Sequence, residues 1–239
     1  MYQGVWLREA TAVAVDSSDR VYCFNRGSHP VLVFDAGGIC LNKFGNETPH
    51  LGTETIPSVG DTMPSVTRWK GSDFIRPHAI TVDHEDNLWL VDDDANSITK
   101  CSRNGTRIMM ILPEGLILTE AAEMDAMRGK GASPPPRNSN RMFNRPTDVV
   151  VHPTTGDLYV TDGYGNNVVH RLRGDGTHVS TWGGPGTAEG QFNCPHSIAL
   201  HPSLEQLIVR HLALMILFSS APRRPCSDGG CRLGCLIYS

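Results

Sequence analysis

The sequence lacks what would place it in a membrane or on nucleic acid. The apolar run Leu212-Ala213-Leu214-Met215-Ile216-Leu217-Phe218 is much too short to span a bilayer as a helix, so no transmembrane segment is expected. The formal net charge is -4, and no Lys/Arg cluster is interleaved with aromatics, so no nucleic-acid partner is expected. Met1-Tyr2-Gln3-Gly4-Val5-Trp6 has neither the basic region nor the apolar run of a signal peptide. Metal-site cysteine spacing is also missing. Cys23, Cys40, Cys101 and Cys194 are scattered. Cys226, Cys231 and Cys235 crowd the tail without a fourth zinc ligand. Glycine and proline are plentiful, 24 and 16 residues, which suits a β chain with many turns.

Three segments of the chain nearly repeat one another: Phe74-Ile75-Arg76-Pro77-His78-Ala79-Ile80, Phe143-Asn144-Arg145-Pro146-Thr147-Asp148-Val149 and Phe192-Asn193-Cys194-Pro195-His196-Ser197-Ile198. Each opens a short alternating strand, a polar turn and a second short strand. A copy without the Phe-Pro opening starts at Ala12-Val13-Ala14-Val15-Asp16. Further hairpins follow, with Asn104-Gly105 and Asp175-Gly176 as their turns. Four antiparallel strands per unit, repeated every ~40–50 residues, describe the blades of a β-propeller. The step from Pro77 to Pro146 is longer than that period. The surplus lies in residues 114–141, read as an insertion between blades with a short helix over Thr119 to Arg128.

The repeat also marks candidate site residues. His78 and His196 hold the same position in two copies, where the third has Thr147. Equivalent positions of different blades surround one axis, so two such imidazoles can converge on a metal. They can also serve only to satisfy backbone groups at the blade ends. Asp92 and Asp162 end matching strands and suit backbone bonding in turns. Tyr164, between Gly163 and Gly165, presents a phenol that could act as a base near a cation, or is a surface turn residue. Arg26 follows the second strand of the first blade, where an arginine is ordinarily a surface residue.

From about residue 11 to 209 the chain resembles the NHL-type six-bladed propeller of peptidyl-α-hydroxyglycine α-amidating lyase, the second catalytic domain of peptidylglycine amidating enzymes. The resemblance rests on Arg26-Gly27, Arg76-Pro77-His78-Ala79-Ile80-Thr81-Val82-Asp83, Arg145-Pro146-Thr147-Asp148-Val149, Asp162-Gly163-Tyr164-Gly165-Asn166 and Cys194-Pro195-His196-Ser197-Ile198-Ala199-Leu200, in that order. It implies cleavage of a peptide's C-terminal α-hydroxyglycine into a peptide amide and glyoxylate. It further implies zinc held by His78, His196 and a third histidine, with Tyr164 as base and Arg26 on the substrate carboxylate. A structural calcium would take the backbone carbonyls of Val13 and Ile80. A monooxygenase domain or partner and a secretory or extracellular setting are implied too. The sequons Asn46-Glu47-Thr48 and Asn104-Gly105-Thr106 would matter in that setting.

The departures from the family shape the remaining expectations. Where the animal enzymes carry a cysteine pair, this chain has Asn144 and Gly165. The repeat pattern holds through Leu207-Ile208-Val209 and then breaks, so residues 1–209 read as a partial propeller and 210–239 as an off-pattern tail. A reading-frame shift, retained intron or mispredicted exon would explain the break, and a divergent tail is the alternative. The fold expected is therefore all-β, an incomplete ring of about four blades with an aberrant tail. A non-catalytic NHL propeller binding a protein or peptide, and a different zinc hydrolase or lyase on the same scaffold, are the competing readings. An open ring exposes a blade edge and an apolar face, so the chain as written is expected to be weakly stable, inactive and a poor binder of zinc. A soluble monomer purified with tightly bound zinc, from a transcript that encodes this tail, would overturn that expectation.

Overall fold

The computed structural model describes residues 8–27, 29–44, 46–47, 71–72, 74–126, 141–201, 206–211, 215–219 and 235–237. Alternation of apolar and polar residues gives strands throughout, grouped into four successive antiparallel sheets. The first contains β1 (Ala10–Val15), β2 (Val21–Asn25), β3 (Val31–Phe34) and β4 (Cys40–Phe44). A minor pair follows, β5 (Asn46–Glu47) with β6 (Gly71–Ser72). The second sheet contains β7 (Pro77–Val82), β8 (Leu88–Asp92), β9 (Ser97–Cys101), β10 (Arg107–Ile111) and a short outer β11 (Ile117–Leu118). After helix α1 (Ala121–Ala126) comes the third, β12 (Asp148–Val151), β13 (Leu158–Asp162), β14 (Val168–Leu172) and β15 (His178–Gly183). The fourth contains β16 (Pro195–His201), β17 (Gln206–His211), β18 (Met215–Ser219) and β19 (Cys235–Ile237).

The four sheets are propeller blades. Their innermost strands adjoin in the order β1, β7, β12 and β16, and three apolar cores fill the seams between them. Tyr22, Phe24, Phe74, Ile80 and Leu90 fill the first seam. Trp89, Ile98, Phe143, Val149 and Val160 fill the second, and Tyr159, Phe192, Ile198 and Val209 the third. Each Phe of the repeated opening is thus a wedge in the seam it precedes. Burying such a ring contributes about 2–3 kcal/mol. The insertion packs outside the second blade, where Met124 of α1 is buried against Met110, Leu112 and Leu118. Of the helix expected over Thr119 to Arg128, Ala121–Ala126 is helical and residues 127–128 lie outside the described residues. The pattern break expected at residue 210 falls inside β17, and β18 and β19 pair outside it.

The repeat reuses the same polar fastenings. Asp16 collects the N–H groups of Ser18 and Arg20 and the Tyr22 hydroxyl, closing the β1–β2 turn. Asp83 does the same with the N–H groups of Glu85 and Asn87 and the Trp89 indole. At the other end of the strands, Asp92 accepts the N–H groups of Ile75, Arg76 and Ala95, and Asp162 that of Asn144. Both carboxylates therefore seat the Phe-x-x-Pro segment on its own blade.

A second fastening joins one blade to the next. Asn96 Oδ1 accepts the N–H of Arg145 at 2.6 Å, and Asn167 Oδ1 that of Cys194 at 2.7 Å. The donors are the residues before Pro146 and Pro195. All four residues sit in the left-handed region, with φ of 55°, 64°, 58° and 56° for Asn96, Arg145, Asn167 and Cys194. Asparagine tolerates that conformation better than most residues, and its amide oxygen is the acceptor the strained turn needs. Asn167→Ala removes the acceptor for the Cys194 N–H and should cost about 1–3 kcal/mol in urea unfolding. An unchanged midpoint would show that the joint carries no load.

Candidate functional site

The site grows from the inner ends of three blades. His78 is the second residue of β7 and His196 the second of β16, each directly after its proline. Tyr164 lies in the turn after β13. The structure brings these three together. The Tyr164 hydroxyl is 3.0 Å from His78 Nε2 and 2.8 Å from His196 Nε2. The two imidazole centres are 4.9 Å apart, and the tyrosine ring meets both edge-on.

Proton positions follow from the partners. His78 Nδ1 lies 2.6 Å from the carbonyl oxygen of Thr147. A carbonyl only accepts, so Nδ1 carries the proton and Nε2 of the neutral ring keeps its lone pair. The Tyr164 hydroxyl donates to that lone pair. With its one proton used, it accepts from His196 Nε2. Burial holds His78 well below its ordinary value, down to about 4, with the charge of His196 adding to the effect. Burial lowers His196 as well and raises the Tyr164 phenol. Neutral imidazoles and a protonated phenol are thus the resting forms.

Thr147, at the histidine position of its blade, is a structural hub. Its carbonyl fixes the His78 tautomer, and its hydroxyl donates to the Pro195 carbonyl at 2.8 Å. Bonds therefore run unbroken from His78 through Thr147 to the start of the strand that carries His196. The glycines around Tyr164 have a steric cause. A Cβ on Gly163 would overlap the Pro195 carbonyl, and one on Gly165 would overlap Asn144. The tyrosine turn is pressed against both neighbouring Phe-x-x-Pro segments.

Arg26 sits at the edge of this group. Its Nε donates to the Pro77 carbonyl at 3.2 Å, and its Nη1 pairs with Glu9 at 2.9 Å. It faces the backbone just before His78, and its positive charge helps to keep His78 neutral. Val13 is exposed on the inner strand β1, and Ile80 is buried on β7, two residues after His78. Cys23, Cys40 and Cys194 are free thiols.

Sequence reasoning missed the shell beneath the tyrosine. Asp93, fully buried, takes Arg76 Nη1 at 2.9 Å and Arg145 Nη2 at 2.6 Å on the same Oδ2. Arg145 Cζ lies 4.9 Å from the centre of the Tyr164 ring. The available signal was the arginine before proline in two of the three repeats, together with Asp92-Asp93-Asp94 after β8.

The two Nε2 atoms converge on the Tyr164 hydroxyl, and the backbone anchors His78 Nδ1; imidazoles released from that phenol suit zinc, which takes neutral histidine oriented by a second partner. Among the described residues no group of three His, Cys, Asp or Glu converges for a metal.

Comparison with known proteins agrees with this architecture. Residues 143–172 match the NHL repeat. The chain is 31% identical over 218 residues to peptidylglycine α-amidating monooxygenase of Rattus norvegicus, covering 87% of this chain and 20% of that protein. It is 28% identical over 227 residues to peptidyl-α-hydroxyglycine α-amidating lyase 1 of Drosophila melanogaster, covering 87% of this chain and 38% of that one. The chain thus spans about a fifth to two fifths of the length of these relatives. In three dimensions it resembles a streptogramin B lyase, with a TM-score of 0.55 at 13% identity, over 98% of this chain and 56% of that one. A chain of a nidogen/laminin complex gives a TM-score of 0.55 at 15% identity, over 88% and 60%. These likenesses show the propeller fold.

Acid should reveal the buried histidine. Between pH 6.5 and about 4 the unfolded chain takes up a proton that folded His78 refuses. Stability contributed by the neutral ring is therefore complete above pH 6.5 and is lost as pH falls through that window, by up to about 3 kcal/mol. Unfolding curves of His78→Gln should be flatter over the same range. Parallel curves would remove His78 as the acid-sensitive group.

Proposed function

We propose that this NHL-repeat propeller, similar over most of its length to the peptidylglycine amidating enzymes, carries the lyase site that releases glyoxylate from a peptidyl-α-hydroxyglycine and leaves a peptide amide. One observation carries the reading. His78, Tyr164 and His196, drawn from three blades, meet within hydrogen-bond distance at the inner strand ends.

The chemistry moves one proton and breaks one bond. The α-hydroxyl of the substrate loses its proton, the carbon becomes the aldehyde of glyoxylate, and its bond to the amide nitrogen breaks. The departing nitrogen gains a proton, so the products are the amide and glyoxylate. Tyr164, once deprotonated, would take the hydroxyl proton and pass it to the leaving nitrogen. Zinc on His78 and His196 would polarise the substrate oxygen and lower the phenol's pKa by its positive charge. Arg26, with its planar fork, suits the substrate carboxylate. To reach it, the guanidinium must exchange its exposed Glu9 partner for the substrate. By family likeness, the carbonyls of Val13 and Ile80 would hold a structural calcium ion. The same likeness implies a monooxygenase, in the same polypeptide or as a partner, to make the hydroxyglycine.

Two imidazoles hold zinc more weakly than three. Excess zinc, with free imidazole as a further ligand beside His78 and His196, should raise glyoxylate release from α-hydroxyhippurate. Tyr164→Phe should lower the rescued rate by about 10²–10⁴-fold with zinc content unchanged. Zinc bound under these conditions with no glyoxylate above the uncatalysed rate would rule out the lyase and leave a partner-binding propeller.

A further inference from the structure

Tyr164 stands between two glycines and has no neighbouring side chain in its own turn to brace it. The two histidines meet only the edge of its ring system, at interplanar angles of 79° and 78°. The guanidinium of Arg145 lies over the ring, with Cζ 4.9 Å from its centre.

Arg145 is itself held at several points. Its N–H is taken by Asn96 at 2.6 Å, in a backbone turned to a φ of 64°. Its Nη2 reaches the buried Asp93 at 2.6 Å and Asp94 at 3.3 Å. Its Nε is buried without a hydrogen-bond partner. An unmet donor has a cost, and a guanidinium serving only as counter-ion to Asp93 would turn to avoid it. Arg76 already supplies Asp93 with a counter-ion at 2.9 Å. What the observed orientation gains is the place of the guanidinium over the Tyr164 ring. A cation over a tyrosine face is attracted by the ring's quadrupole, and a planar guanidinium also covers it.

We propose that Arg145 is a positioning residue for Tyr164, holding the phenol between His78 and His196 by stacking on its ring from an anchor on Asp93 and Asn96. Its relevance to turnover rests on the lyase reading, but the placement does not. The arginine before proline in the third blade thereby gains a role that its counterpart Arg76 lacks. Arg76 shares the Asp93 anchor, and only Arg145 stacks on the phenol among the described residues.

The test uses the full, zinc-free chain and needs no turnover. Nitration of Tyr164 by tetranitromethane, with Tyr164→Phe as the blank, reads how well the ring is covered. The 15N shifts of the His78 and His196 rings read their bonds to the phenol. Arg145→Gln should nitrate about 3–10-fold faster, the range a lost cation–π contact gives, and shift both histidine signals. Arg145→Lys, which can return a cation to the ring face, should recover part of the protection. Arg76→Gln loosens the same carboxylate without uncovering the ring and should leave both readings as in the native chain. Native nitration and histidine shifts in Arg145→Gln overturn the proposal. If that variant does not fold, Arg145→Lys decides, and nitration as fast as in urea overturns it. Absence of glyoxylate release would leave a positive result standing, and a negative result here would leave the lyase reading intact.

Discussion

The bond from an asparagine of one blade to the residue before proline in the next is the constraint on which the site depends. Asn96 and Asn167 each capture one N–H, and the proline and site residue follow at once. Thr147 and His196 are therefore placed by the blade before them as much as by their own strands. Four residues are held in the left-handed region to make this joint, at an energetic cost that only a well-bonded neighbourhood sustains. The Phe143 and Phe192 wedges beneath supply that neighbourhood.

From this joint the polar centre follows by a short chain of contacts. The carbonyl and hydroxyl of Thr147 link the second blade to the fourth through the third. The tyrosine turn then fits between Pro195 and Asn144, where only glycines can flank it. The buried Asp93 beneath draws in two guanidiniums, and one of them lies against the phenol. A buried charge with one partner removed is costly, so the doubled pairing leaves one arginine oriented by more than charge alone.

The fold was largely legible in the sequence because it repeats. The Phe-x-x-Pro openings, the alternation and the Asp-Gly and Asn-Gly turns all recur in the same order, and a recurring unit has to stack on itself. The histidine pair was legible for the same reason, since it occupies one repeat position twice. Thr147 was read only as a place where histidine is dispensable. Its carbonyl does the bonding to His78, and backbone atoms leave no mark in residue identity. Arg145 was read as part of a motif, because a stack on Tyr164 depends on a left-handed φ that arginine seldom adopts. The glycines beside Tyr164 looked like freedom for the phenol, whereas they are close contacts with two other turns.

The asparagine joints also have a direction. Each runs from an earlier blade to a later one, so the later turn has no acceptor until the earlier blade is in place. The two joints close 49 and 27 residues of chain. The entropy of closing those loops differs by only about 0.5 kcal/mol, so the insertion before the third blade adds little to the cost of assembly. The propeller is thus suited to vectorial folding. The third and fourth blades, emerging from a ribosome, each meet a template already holding the acceptor for their own left-handed turn, and the histidines meet only when the last of these docking steps is done.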